Sequence, residues 1–370
     1  MPRRAAFLYS PEFLTYDLGE SHPLQQTRLK RTHDLLHAIG VLDTAGGPLA
    51  LIPPTPAEPD DLLRVHTPEF LEAVLRADQN PADRSLRAFG LGPGDTPAFR
   101  GIWPSARLYA GGTIDAAKRV ASGEFDIAFN VAGGLHHAHA DHASGFCTFN
   151  DLALGVKALQ DGGFRKVAYI DIDVHHGDGV QSIFWDDPDV LTISLHEGPE
   201  WLFPRVTGFA HETGGPGAPG SSVNVPFAPG TGDDLWHEGF EAVVPEALAR
   251  FQPDALVLQL GADAHFGDPL AHLSLSSHGW IRAVERLMEL GAGKPIVVTG
   301  GGGYNPSTVP RLWALVGALC AEAMLPDAMP ASLAEDLGYE TFHDAAPPPA
   351  PPGSDAERRA YLQRCLEARR

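Results

Sequence analysis

Residues 166–179 read KVAYIDIDVHHGDG, an apolar run that ends in three acids and two histidines. The apolar part predicts a buried strand over 166–173. Because alternate residues of a strand point to the same side, Asp171 and Asp173 would share one direction, and His175 would join them if the extended geometry continues. Burying an unpaired charge is costly, so such groups are usually paired or bound to a metal. The stretch therefore favours a metal site at the carboxyl end of a strand.

Apolar runs and helical spacing alternate along most of the chain. Strands are predicted at 5–10, 49–52, 126–131, 166–173, 190–196, 223–227, 255–260 and 295–299. Helices are predicted at 22–40, 102–122, 151–160, 178–184, 233–250, 276–290 and 305–324, with two short helices over 60–77. The runs ALVLQL and PIVV are almost entirely apolar, as expected for strands buried on both faces. The sequence therefore predicts a single-domain α/β protein with a mainly parallel sheet flanked by helices.

Gly and Pro mark two further segments of the chain. We predict a main domain over 1–326 and an extension over 327–370, in which AAPPPAPPG (345–353) is a Pro-rich linker and 354–370 is a charged helix. The Gly- and Pro-rich stretch 80–99 is predicted to be a loop. A loop of this length is often functional.

The chain is acidic, because 27 Lys and Arg residues against 47 Asp and Glu residues give a formal net charge of −20. A protein that binds nucleic acid through a broad basic surface is therefore not expected. The acidity is equally compatible with attraction of a cationic partner and with solubility alone. The 44% of hydrophobic and 20% of charged residues are typical of a globular protein. None of these quantities indicates an oligomeric state.

Cysteine usage and hydropathy indicate the cellular compartment. Cys147, Cys320 and Cys365 are far apart and odd in number, which favours neither a disulfide framework nor a thiolate zinc site. No run reaches the ~18 apolar residues of a membrane-spanning helix, and the first residues show no clear signal-peptide cleavage site. We therefore expect a cytoplasmic protein that does not enter a membrane.

Polar residues that can bind a metal or move protons follow four of the predicted strands. The four stretches are GGLHHAHADHASGF (133–146), HHGDG (175–179), GADAHFGDP (261–269) and GGGGYN (300–305). A lone His or Asp at a strand end is more often a simple hydrogen-bonding residue than a ligand. However, ligands of open parallel sheets bind beyond the carboxyl ends of the strands, so these stretches are expected to converge on one site.

A hydrolytic metal site needs three protein ligands, a base, and an electrophile for the developing oxyanion. The four stretches can supply each part, with oxygen and nitrogen donors suited to Zn²⁺ or another first-row divalent ion. The candidate metal ligands are Asp173, His175 and Asp263, and the candidate acid and base are His136 and His137. The carboxylates that would orient these two histidines are Asp171 and Asp178. The candidate oxyanion donor is Tyr304. The glycines at 301–303 could instead cradle a phosphate, but they lack the Lys-Ser/Thr of a P-loop and match no GxGxxG fingerprint.

Short motifs, occurring in a fixed order, resemble those of one known family. They are HPLQQTR (22–28), GDTPAF (94–99), GGLHHA (133–138), SGFCTFND (144–151), YIDIDVHHGDGVQ (169–181), TISLHE (192–197), LFP (202–204), SVNVP (222–226), LQLGAD (258–263), DPLAHL (268–273) and GGGGYN (300–305). Over 5–324 the chain is similar to the zinc-dependent histone deacetylase superfamily, in its bacterial acetoin-utilization-protein branch. The resemblance implies an arginase/deacetylase-like fold and hydrolysis of the acetyl amide of N6-acetyl-lysine in a protein or peptide. It also implies Zn²⁺, Fe²⁺ or another divalent ion.

Residue by residue, the resemblance implies the same metal ligands, histidine pair and tyrosine. It adds Phe146 and Phe203 as walls of an apolar tunnel, with Gly145 as a backbone contact to the acyl-lysine chain and Leu270 near the rim. It also implies that Asp95 is the acid that binds substrate backbone amides and that Arg28 lies at an internal acetate channel. A structural K⁺ or Na⁺ is implied at the largely backbone carbonyls of Asp171, Asp173, His175, Ser194 and Leu195. After LFP the chain reads RVTG where relatives usually have GTG, so an extra residue near Arg205 alters the predicted rim.

Three other functions share parts of this pattern. An acetylpolyamine or other small acyl-amine amidohydrolase would use the same site behind a more enclosed entrance. An arginase-type ureohydrolase would need a second Asp two residues after Asp263, where this chain has His265. A binding module without catalysis is disfavoured by the presence of Tyr304 and the paired histidines. Finally, His176 is expected to point away from the metal ligands and to be structural.

Overall fold

The computed structural model describes residues 3–43, 47–326 and 328–369. Within these ranges, nine strands form one sheet: β1 (Ala5–Leu8), β2 (Leu42–Asp43), β3 (Leu49–Ile52), β4 (Ile127–Asn130), β5 (Val167–Asp171), β6 (Val190–Glu197), β7 (Ser222–Phe227), β8 (Ala255–Gln259) and β9 (Ile296–Thr299). Their spatial order is β2-β3-β1-β4-β9-β8-β5-β6-β7, and each pairing is parallel. The predicted parallel α/β fold is therefore confirmed.

Helices flank this sheet. In the described ranges the α-helices are α1 (Thr27–Ala38), α2 (Pro59–Leu62), α3 (Pro68–Gln79), α4 (Ile102–Ala121), α5 (Asp151–Asp161), α6 (Asp178–Ile183), α7 (Asp233–Phe251), α8 (Ser277–Leu290), α9 (Thr308–Cys320), α10 (Ala331–Leu337) and α11 (Asp355–Ala368). The predicted loop 80–99 contains a short 3-10 helix, Arg84–Phe89. None of the helices in the described part of the chain combines the length and apolarity needed to cross a membrane.

The opening strand, β5, ends at Asp171 rather than at Asp173. Asp171 Oδ1 accepts a hydrogen bond from the Asp173 backbone N–H at 2.9 Å, a side-chain turn that competes with strand extension. Asp173 Oδ1 in turn accepts from the His175 N–H at 3.0 Å, so the chain turns again. The predicted strand over 166–173 is therefore two residues too long at its carboxyl end. The extended geometry that would align His175 with Asp171 and Asp173 does not continue, because consecutive turns place Asp173 and His175.

The four polar loops lie side by side. The strands that precede them, β4, β9, β8 and β5, are consecutive neighbours in the sheet, and their carboxyl ends share one edge because all four are parallel. The strands themselves are apolar and buried on both faces, as the fully buried Phe129, Ile170, Leu258 and Val298 show. A rigid apolar sheet thus brings the candidate site residues together.

The extension packs against the rest of the protein. Residues 345–353 contain neither helix nor strand, as expected of a Pro-rich linker, and the predicted terminal helix spans Asp355–Ala368. The short helix α10 was not predicted. The terminal helix contacts β7 and α7, and its Leu362 side chain is fully buried. Leu362 therefore contributes to the main hydrophobic core.

Candidate active site

Three side chains that could hold a metal ion meet at the carboxyl edge of the sheet. Asp173 and His175 come from the turns after β5, Asp263 comes from the loop after β8, and all three are buried. His175 Nδ1 lies 3.1 Å from Asp173 Oδ1 and 3.1 Å from Asp263 Oδ2. The candidate ligand atoms lie within 4.8 Å of one another. Two carboxylates and one imidazole form a donor set suited to zinc or another first-row divalent ion.

The charges of this Asp-His-Asp group also favour a cation. Burial, and then the neighbouring Asp173 carboxylate, raises the pKa of Asp263 to about 7. Burial opposes ionisation of Asp173 as well, but the adjacent His136 and His175 rings lower its pKa well below the usual value. Two buried carboxylates therefore share one imidazole, and a divalent cation between them would relieve their repulsion. The residues present fit a metal ion.

Hydrogen bonds orient both carboxylates. Asp173 Oδ2 accepts from Gln259 Nε2 at 2.7 Å and from the Gly302 N–H at 2.7 Å. Asp263 Oδ1 accepts from the Val174 N–H at 2.9 Å, which leaves Oδ2 facing the imidazole. Sequence analysis missed Gln259. The available signal was a single amide inside the otherwise apolar run ALVLQL, since a buried polar side chain needs a partner.

The two histidines predicted as acid and base lie beside the Asp-His-Asp group. His136 Nδ1 is 2.7 Å from Asp171 Oδ2, and His137 Nδ1 is 2.6 Å from Asp178 Oδ1, so each ring donates to its own carboxylate. The two Nε2 atoms face each other at 3.0 Å. His136 Nε2 also lies 3.9 Å from Asp173 Oδ1. Because the carboxylates fix the Nδ1 tautomers, the Nε2 atoms are left for proton transfer.

The two paired rings differ in charge. Burial opposes protonation of His136, but Asp171 and then Asp173 raise its pKa to about 9. Burial, followed by repulsion from His136, lowers the pKa of His137 to about 4. At neutral pH one ring is thus an imidazolium that donates to the neutral ring beside it. Such a pair can donate one proton from the imidazolium. Once the hydrogen bond between the two rings opens, the nitrogen lone pair of the neutral ring can accept another proton.

The glycine run after β9 brings backbone close to the Asp-His-Asp group. A Cβ atom on Gly302 would lie 2.0 Å from Asp263 Oδ2 and 2.9 Å from Asp173 Oδ2, so a larger residue does not fit. Because the Gly302 N–H donates to the Asp173 carboxylate, it is not available to a phosphate, and a phosphate-binding role of the glycine run is disfavoured. Tyr304 follows, with its ring centroid 6.2 Å from that of His175. Burial, and then Asp263, raises the pKa of the Tyr304 phenol well above its usual value, so the hydroxyl keeps its proton.

Aromatic rings border the approach to this site, at the positions predicted as tunnel walls. The Phe203 ring stands at 88° to the His137 ring, with 4.8 Å between centroids. The Phe146 ring stands at 86° to the Tyr304 ring, with 5.7 Å between centroids. Both phenylalanines are half-buried. One phenylalanine therefore contacts the histidine pair and the other contacts the candidate oxyanion donor.

Side-chain hydrogen bonds hold the outer loops. The exposed Asp95 accepts from the Gly145 N–H at 2.7 Å through Oδ2, which ties the predicted loop 80–99 to the loop that carries Phe146. Asp268 accepts from the Leu270 N–H at 2.9 Å and from the Tyr304 N–H at 2.7 Å. Asp268, which sequence analysis did not single out, thus joins the backbone at Leu270 to the tyrosine loop.

The positions implied for an acetate channel and a monovalent cation adjoin the site. Arg28 is buried, donates to a carbonyl of the glycine run at 2.9 Å and lies 4.9 Å over the Trp313 ring. Ser194 pairs with Asp171 in the register of β5 and β6, and the buried Leu195 follows it. The roles of these residues stay predictions.

Two nearby histidines lie outside the Asp-His-Asp group. His176 Nδ1 is 3.1 Å from Thr207 Oγ1 and its Nε2 is 3.1 Å from Gln181 Oε1, so it points away from the Asp-His-Asp group, as predicted. His265 Nε2 lies 3.0 Å from Asp344 Oδ2, and its Nδ1 accepts from a backbone N–H at 3.0 Å. Because both ring nitrogens of His265 are engaged, it does not supply the second metal site of arginase-type chemistry.

A buried Asp-His-Asp group beside paired histidines, at the carboxyl edge of a parallel sheet, defines a metal-dependent hydrolase site. The sequence model of the histone deacetylase domain matches residues 22–320. The acetoin utilization protein AcuC of Bacillus subtilis (strain 168) is 40% identical over 320 residues, covering 85% of this chain and 81% of that protein. Two solved structures cover 100% of both chains: an HDAC homologue from Aquifex aeolicus, with TM-score 0.89 and 28% identity, and an HDAC homologue complexed with SAHA, with TM-score 0.88 and 27% identity.

The chain belongs to the histone deacetylase family. This confirms the resemblance seen in the sequence motifs and the deacetylase-like fold. Membership supports deacetylase activity on an acetylated substrate. It also agrees with the buried Asp-His-Asp group, because the family depends on a metal.

Proposed function

We propose that the chain is a zinc-dependent protein lysine deacetylase, which hydrolyses the acetyl amide of N6-acetyl-lysine and releases acetate. One observation carries the proposal: the histidine pair, with a carboxylate on each ring, lies 3.9 Å from the buried Asp-His-Asp group. Amide hydrolysis needs such a pair, because one proton must leave the attacking water and another must reach the departing amine.

The proposed roles follow from where each side chain lies. The Asp-His-Asp group would hold Zn²⁺, or Fe²⁺ or another divalent ion, which when bound supplies Lewis acidity and lowers the pKa of a water molecule. His136 and His137 move protons at their Nε2 atoms. Delivery to the departing amine is assigned to His137, which is neutral at pH 7 and would first take a proton from His136 or from the attacking water. Its ring contacts Phe203 of the proposed tunnel wall, whereas His136 lies nearer to Asp173. Asp171 and Asp178 orient the two rings.

Tyr304 is proposed to donate its hydroxyl to the acetyl oxygen. Its raised pKa keeps the proton on the phenol, so the group can act as a donor. Asp268 holds its backbone N–H, which limits movement of the loop. A donor positioned in this way stabilises negative charge that develops in the transition state more than it stabilises the bound substrate.

The acetyl-lysine side chain is proposed to enter between Phe146 and Phe203, with Gly145 as a backbone contact and Leu270 at the rim. Asp95 would accept hydrogen bonds from the backbone amides of a peptide. Its Oδ2 already holds the Gly145 N–H, so Oδ1 is the oxygen that would face the substrate. An extended peptide therefore fits the rim, and a small acetylated amine would leave Asp95 unused.

Further roles are proposed by the same family relationship. Arg28 would line the exit of acetate, and K⁺ or Na⁺ would bind largely to backbone carbonyls. The positions for that cation are Asp171, Asp173, His175, Ser194 and Leu195. We also propose a cytoplasmic location, no nucleic-acid partner, and a catalytic domain over 1–326 that carries 327–370 as an extension.

A substrate comparison tests the proposal. Zinc-loaded protein is assayed on an acetyl-lysine peptide and on an acetylpolyamine, with release of acetate as the readout. We expect the peptide to be hydrolysed in preference. Turnover of the acetylpolyamine alone would replace the proposal by the small acyl-amine alternative. Absence of turnover on both, in protein with one metal per chain, would favour the binding module.

Tyr304→Phe tests the oxyanion role. We expect kcat to fall by about 10²- to 10³-fold, because one transition-state hydrogen bond is removed. The zinc content should be unchanged. Tyr339→Phe is the matched control, since it removes a hydroxyl outside the site that lies 3.4 Å from Thr308 Oγ1. Equal kcat values for Tyr304→Phe and the unmodified protein would contradict the assignment.

A further inference from the structure

The terminal helix α11 is anchored along one face. Arg358, Leu362 and Cys365, spaced by four and three residues, are buried where the helix meets β7 and α7. Arg358 Nε donates to a backbone carbonyl at 3.1 Å, and Ser354 begins the helix with a capping box. Because this face is anchored, the neighbouring side chains on α11 are held in defined positions.

Tyr361 projects from α11 toward the loop 198–207, which follows β6. Its hydroxyl donates to Glu200 Oε2 at 2.8 Å, and its ring centroid lies 5.0 Å from that of Trp201. A Cβ atom on Gly198 would lie 2.4 Å from the Tyr361 hydroxyl oxygen, so the glycine allows the close approach. The terminal helix thus contacts a loop that is 161 residues away in sequence.

The same loop carries one wall of the tunnel. Phe203 follows Trp201 by two residues, and its ring lies 4.8 Å from that of His137. Arg205 Nη2 donates to the Trp201 carbonyl at 2.9 Å, which closes the loop around Phe203. Trp201 and Val206 stay 37% and 75% exposed. A shift of Trp201 would therefore move the exposed apolar surface of Trp201 and Val206, whereas Phe203 is held separately against the His137 ring.

We propose that the C-terminal extension is a specificity element, in which Tyr361 positions the loop 198–207 so that Trp201 and Val206 contact apolar residues flanking the acetyl-lysine of a peptide. This inference rests on the proposed deacetylase function. Tyr361 acts through the loop and is a positioning residue. The match to the histone deacetylase domain ends at residue 320, so the helix lies beyond the matched segment.

Three variants test the inference. Tyr361→Ala removes the ring and the hydroxyl, and Tyr361→Phe removes the hydroxyl alone. Arg359→Ala is the matched control, because Arg359 lies on the same helix and pairs with Glu238. Each zinc-loaded protein is assayed on an acetyl-lysine peptide with apolar flanking residues and on an acetyl-lysine amide without them. Amide hydrogen exchange across 198–207 is measured separately.

We expect Tyr361→Ala to raise KM for the flanked peptide about fivefold, an effect of the size of one hydrogen bond to an exposed charged group. The kcat values and the KM for the unflanked amide should not change. Exchange across 198–207 should become faster. Tyr361→Phe should give a smaller change in both readouts, and Arg359→Ala should match the unmodified protein.

Two results would overturn the inference. The first is an unchanged ratio of the two KM values in Tyr361→Ala, whether or not exchange becomes faster. The second is an equal fall in kcat on both substrates with loss of zinc, because the helix would then support the whole fold. If the unmodified protein hydrolyses neither substrate, the proposed function fails, and the exchange measurement alone decides whether Tyr361 holds the loop.

Discussion

Replacing Gln259 with Leu should weaken metal binding, although none of the predicted metal ligands is replaced. The Gln259 amide donates to Asp173 Oδ2 at 2.7 Å, and Leu keeps a similar volume while removing this donor. Loss of a hydrogen bond that orients a metal ligand usually costs about 10- to 100-fold in affinity, or about 1.4 to 2.7 kcal/mol. The Gly302 N–H still holds the same oxygen, so we expect the lower end of that range.

The same substitution should also destabilise the metal-free protein. Gln259 Oε1 accepts from the buried Gly261 N–H at 2.8 Å, and Leu offers no acceptor in its place. An unsatisfied buried donor costs about 1 to 3 kcal/mol in the free energy of unfolding. Zinc affinity is measured by competition with a chromogenic chelator, and stability is measured by urea unfolding after the metal has been removed.

Gln79→Leu serves as the control, because Gln79 is an exposed residue at the end of α3, remote from the site. It should change neither zinc affinity nor kcat. A folded Gln259→Leu protein with unchanged zinc affinity would refute the reasoning, since it would show that Asp173 is oriented without the amide. Weaker zinc binding with unchanged stability would refute only the contribution of the Gly261 bond.

Three further predictions concern the site and its support. Asp263→Ala should lose the metal, and one zinc per chain in that variant would overturn the ligand assignment. Gly302→Ala should sharply lower both zinc content and kcat, because its Cβ would lie 2.0 Å from Asp263 Oδ2; normal values for both would contradict this contact. Burial lowers the pKa of His66 to about 4, so between pH 6.5 and 4 the unfolded state binds a proton that the native state excludes. The free energy of unfolding therefore decreases as the pH falls through this range. Between pH 7 and pH 5, the His66→Gln protein should therefore lose less unfolding free energy than the unmodified protein, by up to about 1.4 kcal/mol per pH unit. Urea unfolding at both pH values measures this, and an equal loss in the two proteins would refute the assignment.

The fold was predictable because its central strands are mostly apolar. A run such as ALVLQL has few structures open to it besides a strand buried on both faces, and β8 falls within one residue of the prediction. That the loops carrying Asp173, His175 and Asp263 meet followed from the parallel strand order, since loops after neighbouring parallel strands share an edge. Residue-level roles remain predictions until the variants are measured.

Other features depend on contacts that no local pattern contains. The end of β5 is set by a bond between the Asp171 side chain and a backbone N–H, which competes with the strand. Gln259 bonds to Asp173 across 86 residues, so a strand pattern shows it only as an interruption. The two-residue strand β2 is too short to produce a period. The contact of Tyr361 with Glu200 arises only once the sheet has placed β6 beside β7.

The terminal helix has a consequence for solution behaviour. β7 lies at one edge of the sheet, yet all six of its residues are buried, and α11 packs beside it. At the opposite edge β2 is only two residues long. Long uncovered edge strands pair with other chains and lead to aggregation, and proteins commonly shorten such edges or cover them. We therefore expect that proteolytic removal of α11 exposes this edge and yields a protein that self-associates through β7.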